Sequence, residues 1–372
     1  MKKLSLVDRL ERLAEKGVDL VDPRQIFIDD EVQLNRIFPG SVLFPGTRLL
    51  GYGTVVAPGA KLGTEGPATV VNSIVGEDAE IASGFVTDSV LLSKARIGSS
   101  GHVRGGTLLE EEASTAHAVG LKHTILTSFV TLGSLINCCD CFISGGRSRS
   151  NHTEIGSGFI HFNFTPWGEA GDKATPSLIG DVPQGVFLRQ ERIFIGGISG
   201  MVGPNRIGYG TFTVAGQVIR SDVGARRIHA ETLRGIDAPW TFEARGLSGP
   251  RVERNLEYVG QLAALRAWYV AVRKARLTGE QRQSHLGMAM DAAIHLIDSS
   301  MSERWFRLAQ FLGVSTLPAM QLPLIACPLA IEPSSMSHVE WLRTLSDDAI
   351  SAGTDWLQAI VQQFVRNNQI ST

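Results

Sequence analysis

The chain has 372 residues, 43% hydrophobic and 19% charged, an ordinary globular balance with room for two or three domains. Its 35 Lys and Arg against 37 Asp and Glu supply no electrostatic case for nucleic acid or an anionic membrane as partner. No apolar run reaches membrane-spanning length and charge enters the first residues too early for a secretory signal, so the expected location is the cytoplasm.

Residues 4–16 place Leu6, Leu10 and Leu13 at helical spacing, which predicts a short amphipathic helix stopped by Gly17 and an N-terminal element over 1–17. From 18 to about 62, short extended segments such as Gln25-Ile26-Phe27-Ile28 are separated by Pro and Gly. Beyond them an apolar residue followed by a small one recurs at roughly six-residue spacing. The pattern runs through Val75-Gly76, Ile81-Ala82 and Ile97-Gly98, then resumes at Ile155-Gly156, Ile179-Gly180, Ile195-Gly196 and Ile207-Gly208. Each such repeat is one flat face of a triangular coil and cannot bury its apolar side chain alone, so successive coils must stack. The fold expected over 18–223 is a parallel β-helix, a hexapeptide solenoid.

Residues 164–177 break the repeat and carry two prolines, which reads as a loop jutting from the coil. The stretch 224–252 reads as a linker or extended arm. Composition then changes: Leu256, Val259, Leu262, Leu265 and Trp268 supply a broad apolar stripe among Arg and Glu. Further helical stretches are expected at about 279–313 and 337–367, opened by Thr278 and Ser337 as caps. A helical C-terminal domain over 253–372 follows, packing on the solenoid or on a neighbouring subunit.

Cys138, Cys139, Cys141 and Cys327 read as free thiols. Neighbours on a strand point to opposite faces, so Cys138 and Cys139 are not expected to share a metal ion, and a packing role is the expectation.

Several stretches carry more than the generic repeat. Asn72 to Ile81, then Ile97-Gly98 with Val103-Arg104-Gly105-Gly106, Glu154-Ile155-Gly156 with Asn163-Phe164, and Arg220-Ser221-Asp222-Val223 fall in one order. Over roughly residues 18–223 this order resembles the C-terminal acetyltransferase domain of the bifunctional N-acetylglucosamine-1-phosphate uridylyltransferase/glucosamine-1-phosphate acetyltransferase. The resemblance implies a mainly β fold with a left-handed helix, assembly as a homotrimer, and acetyl-CoA or another acyl-CoA as cosubstrate with no bound cofactor. The family's Gly-rich nucleotide loop is absent from this chain, so a sugar phosphate or nucleotide sugar would be the ligand and a separate pyrophosphorylase the partner enzyme.

The resemblance also implies a site. Arg104 takes the position of the sugar-phosphate arginine, a role its planar fork suits. Asn163 keeps the family's amide, while Phe164 replaces its tyrosine, and Asn137 is carried as a further substrate contact. The family's lysine falls near Leu126, with Lys122 available through a shift. Cys138 stands where the family has its general-base histidine, and an ordinary thiol is a poor base near neutrality, though it can relay an acyl group. His152 and His161 are therefore the candidate replacement bases, His161 because it shares a strand face with Asn163 by alternation. His123 and Cys141 are expected to stack as neighbours in adjacent coils. Arg220 is the candidate for the acyl-CoA phosphates. The alternative to acyl transfer is a non-catalytic solenoid that binds a sugar nucleotide or organises a partner enzyme.

Overall fold

The computed structural model describes residues 4–165, 172–231 and 249–370. Short strands stack in parallel into a solenoid. One face is an eleven-stranded sheet running from Asp19–Leu20 to Ile228–His229; the other two faces share a sixteen-stranded sheet. Parallel pairing holds throughout both, as a coiled solenoid requires. The coil extends past the boundary expected at Val223, and the expected arm begins as its last described strand; 232–248 lie outside the described residues. Of the loop expected over 164–177, Thr165 pairs with Asp172 and Ser177 already belongs to the strand Ser177–Ile179; 166–171 lie outside the described residues.

The repeat has a direct packing cause. Leu43, Leu62, Ile81 and Ile97, then Leu132 and Ile155 after an intervening Thr115, follow in register on the eleven-stranded sheet, and the aliphatic ones point into the core. Phe44 after Leu43 apart, the residue after each of these aliphatics is small, and at several of those positions the next coil's backbone lies against it. A Cβ on Gly98 would overlap the carbonyl of Ala116, one on Gly156 the backbone of Gly197, and one on Gly196 the backbone of Ala215. Corners are turned by left-handed residues, among them Asn72, Asp88, His123 and Asp140, types that tolerate this region better than most.

Helix α1 (Leu6–Glu15) lays Leu10 and Leu13 over the open N-terminal end of this core, held by a Ser5–Asp8 capping box. Arg9 fixes it by donating to the carbonyls of Asp29 and Val32. A short helix α2 (Val182–Gly185) interrupts the later coils.

The C-terminal elements are α3 (Gly249–Trp268), prolonged by a π-helical turn over Tyr269–Lys274, then α4 (Gly279–Gln283), α5 (His285–Phe311), α6 (His338–Thr344) and α7 (Asp347–Asn367). The helix expected over 279–313 is divided at Ser284, whose side chain caps α5; the one expected over 337–367 is divided at Leu345 and Ser346, the latter capping α7. These helices pack on the chain's own solenoid. The outward residues of its third face, including Val55, Ile74, Val90, Leu108 and Phe142, form one core with Leu262, Trp268, Ile297 and Phe364. Buried polar contacts lock the joint: Tyr269 donates to Glu110 at 2.7 Å, and Arg273 pairs with Glu110 and Glu111. Among the described residues no helix is long and apolar enough to cross a membrane.

Candidate functional site

The strand Gly101–Val103 ends at Arg104, and the register carries that outward position to Lys122, then Cys139, then Phe162. This column floors a groove of about 460 Å³ walled by Glu303, Arg304 and Arg307 of α5. Arg104, Asn137, His161 and Asn163 all line it, so four of the residues expected from the sequence come together. Lys122, His123, Cys139, Asp140 and Lys173 join them.

The charges are only partly matched. Asp140 pairs with Arg304 at 3.0 Å, both side chains buried, and accepts from the Asn163 amide at 3.1 Å. Glu303 pairs with Arg307 at 2.8 Å. Among the described residues no carboxylate pairs with Arg104, Lys122 or Lys173, which leaves a cationic floor facing solvent. Arg104 makes only a long contact to the Cys139 thiol, 3.6 Å, and its Nε–H is buried without an acceptor. A phosphate oxygen would supply the missing acceptor.

The proposed catalytic positions fare differently. Cys138 is fully buried and packs in the solenoid core beside Leu121, so it cannot act as base or acyl relay; its neighbour Cys139 takes the outward position. Burial pushes the Cys139 thiol up to about 11, and the Asp140 carboxylate adds to the shift, so it too stays protonated near neutrality. His161 pairs in register with the core residue Met201 and is likewise interior, 3% exposed. Asn163, one residue beyond the strand's end at Phe162, is only half-buried, so it does not share the interior face of His161 although both line the groove. Its Nδ1 lies 2.6 Å from the carbonyl of Cys139 and so carries the proton; its Nε2 accepts from the Ser177 hydroxyl at 2.8 Å. Burial lowers its pKa to about 4.

His152 sits on another face, in the hairpin Gly146–Ser148 with Asn151–His152, where it lines a groove with Lys94, Arg96 and Arg149. It donates to the Arg149 carbonyl at 2.8 Å and has no part in the Arg104 groove. Arg220 occupies the same outward column as Arg104 but five coils on, about 24 Å away at the spacing of stacked strands. It is exposed and donates to Glu231 and Val218.

His123 is the histidine that reaches the groove without being committed. It turns the corner between the two faces, and Lys122 pairs with Cys139 and Thr124 with Cys141, so His123 stacks on Asp140 rather than on Cys141. The coil is one residue shorter there than the expected stacking assumed. Its Nδ1 is buried against Gly106 with no hydrogen-bond partner, and burial lowers its pKa, so the ring is neutral at pH 7. A buried N–H with no acceptor costs about 1–3 kcal/mol, which places the proton on Nε2 and makes His123 a donor toward the groove. Asp140 and Arg304 were not anticipated; Asp140 had a signal in its place between cysteines at a corner, whereas Arg304 had none.

A parallel solenoid built on inward aliphatics followed by small residues is the architecture of a hexapeptide-repeat β-helix, and here it bears an arginine-lined groove. Its sequence is 29% identical over 214 residues to Bifunctional protein GlmU of Fervidobacterium nodosum and 28% identical over 249 residues to that of Synechococcus elongatus. These alignments cover 58% and 64% of this chain but 41% and 49% of the relatives, so the chain spans about half the length of the curated proteins it matches. Among solved structures, LpxA from Acinetobacter baumannii aligns over 75% of this chain and 97% of its own, at 16% identity and a TM-score of 0.33. No protein-family model matches the chain.

Proposed function

We propose that this chain is an acyltransferase-like protein of sugar-nucleotide metabolism that binds a phosphorylated or nucleotide-linked sugar in the groove at Arg104. The observation that carries this reading is the set of cations without a carboxylate partner among the described residues, Arg104, Lys122 and Lys173, beside the amides of Asn137 and Asn163. Cations of this kind hold phosphate, and amides and a histidine Nε2–H suit sugar hydroxyls. The groove favours binding over transfer in its resting state, since no histidine presents a free Nε2 lone pair to it: His161 gives its own to Ser177, and His123 carries a proton there. Thermal shift against glucosamine 1-phosphate and UDP-linked sugars tests the binding; no shift in the wild type, or an equal shift in Arg104→Ala, sinks it.

Acyl transfer from an acyl-CoA is the second reading, favoured because His123 reaches the groove and needs only a ring flip to expose a basic nitrogen. Thiol release from acetyl-CoA in the presence of glucosamine 1-phosphate, abolished in His123→Gln, would establish it. The same reading extends to a homotrimer and to a separate pyrophosphorylase as partner, for which light scattering and co-purification are the tests.

A further inference from the structure

A second cavity, of about 440 Å³, lies where the helical domain meets the solenoid, against Arg273 of the joint, and shares no lining residue with the groove. The solenoid contributes Glu77, Ser93, Lys94 and Glu112; the helical domain contributes Arg276, His285 and the turn from Ser334 to His338.

Arg276 is the unusual member. It is 4% exposed, yet among the described residues no carboxylate pairs with it. Its guanidinium stacks on Trp341, 4.5 Å from the ring centroid, donates to the Met336 carbonyl at 3.0 Å, and approaches His338 Nδ1 at 3.5 Å. Those contacts explain how it holds the 334–338 turn in place, but they are neutral. They leave its Nε–H buried without an acceptor, and Arg273 as a second guanidinium close enough to repel it. Burial and that repulsion lower its pKa to about 10, a measure of how poorly its charge is compensated. Glu111, which lines the same cavity, offsets this only in part, because it and Glu110 are both paired with Arg273. A buried cation lining a cavity is stabilised by an anion that enters it.

We propose that this cavity is a binding site for a small phosphate ester, bridging the solenoid to the helical domain and separate from the groove at Arg104. Arg276 meets the phosphate from the inner wall, and Lys94, which has no carboxylate partner among the described residues, meets it from the solenoid side. The hydroxyls of Ser93 and Ser335 line the same space. Glu77, Glu111 and Glu112 also line it; their carboxylates oppose a polyanion, and those of Glu77 and Glu112 can accept from the hydroxyls of an alcohol. The chemistry therefore suits the monophosphate of a polyhydroxy compound. Because the ligand touches both parts of the chain, its binding free energy adds to the stability of their docking.

The test is calorimetric titration of the full chain with glucose 6-phosphate, inorganic phosphate and glucose, using the wild type, Arg104→Ala, Arg276→Met and Lys94→Ala. Wild type and Arg104→Ala bind glucose 6-phosphate, more tightly than inorganic phosphate and with no binding of glucose. Arg276→Met and Lys94→Ala each weaken it on the order of tenfold, the expected worth of one charge-assisted contact. Lys94 extends from a solenoid corner and supports no core packing, so Lys94→Ala serves if Arg276→Met fails to fold. No binding by the wild type, loss confined to Arg104→Ala, or full affinity in Lys94→Ala overturns the site; equal affinity for inorganic phosphate overturns the ester assignment. Since Arg104→Ala reports on the groove alone, failure of either site is distinguishable from failure of the other.

Discussion

Arg304 of α5 reaches into the solenoid and pairs with Asp140 at 3.0 Å, both side chains at least nine-tenths buried. This contact ties the helical domain to the corner residue of the candidate groove, and Asp140 passes the constraint on by accepting from Asn163 at 3.1 Å. Breaking one partner of a buried pair leaves an uncompensated charge. Asp140→Asn is expected to lower unfolding free energy by about 3–5 kcal/mol, and Arg304→Met with Asp140→Asn together by clearly less than the sum of the two. Urea denaturation of the four proteins measures this; additive losses would remove the pair as a coupling element.

Arg104 is held by one long sulfur contact and packs in no core cluster. Arg104→Ala is therefore expected to leave Tm within a degree or two while weakening sugar phosphate binding by roughly tenfold or more. A large fall in Tm with unchanged affinity would assign Arg104 to structure instead.

Acidification should destabilise the fold through its buried histidines. His161 falls from the ordinary 6.5 to about 4 because burial disfavours its charged form. Between those values the unfolded chain binds a proton that the folded chain refuses, so stability is full above pH 6.5 and declines as pH falls toward 4. The loss from His161 alone is about 3 kcal/mol. His338, half-buried beside Arg273 and Arg276, is lowered in the same direction and adds to it. Urea midpoints from pH 7.5 to 4 in wild type and His161→Gln check this; equal slopes in the two would exclude His161 as a source.

Gly106 has φ +77°, and a Cβ there would overlap the imidazole of His123. Gly106→Ala is expected to cost about 1–3 kcal/mol and to displace the ring, altering groove binding. Gly216 has a similar φ of +74° with nothing within 4 Å, so Gly216→Ala incurs the backbone cost alone. Equal losses in the two variants would show that His123 yields freely.

The solenoid was legible because its cause is local: Ile97 before Gly98, Ile155 before Gly156 and Ile195 before Gly196 each record one inward side chain and one close backbone approach. A second signal stood in the doublets Ile74-Val75, Val90-Leu91, Leu108-Leu109 and Phe142-Ile143. In each, one residue faces the solenoid core and the other faces the helices, so the doublets announce a covered outer face. Arg104, Asn137 and Asn163 could be placed together from motif order. The roles of the histidines could not, because alternation carries no force past the end of a strand, as after Phe162, and because the partner of His161 is Ser177, 16 residues further on. Arg304 and Arg273 were invisible for a different reason: their partners lie far away in sequence, and nothing in a helix pattern names the carboxylate it will meet.

The covered outer face also sets an order of events during synthesis. Each coil can stack on the one before it as it emerges, but the doublet residues from Val55 to Leu178 stay bare until α3, α5 and α7 have been made. At about 5–20 residues per second, α7 follows Leu178 by on the order of ten seconds or more. Until those helices arrive the nascent solenoid carries a long apolar flank, and a chain cut short before α5, the helix that packs on the strands of Val55, Ile74, Val90 and Leu108, would keep it bare.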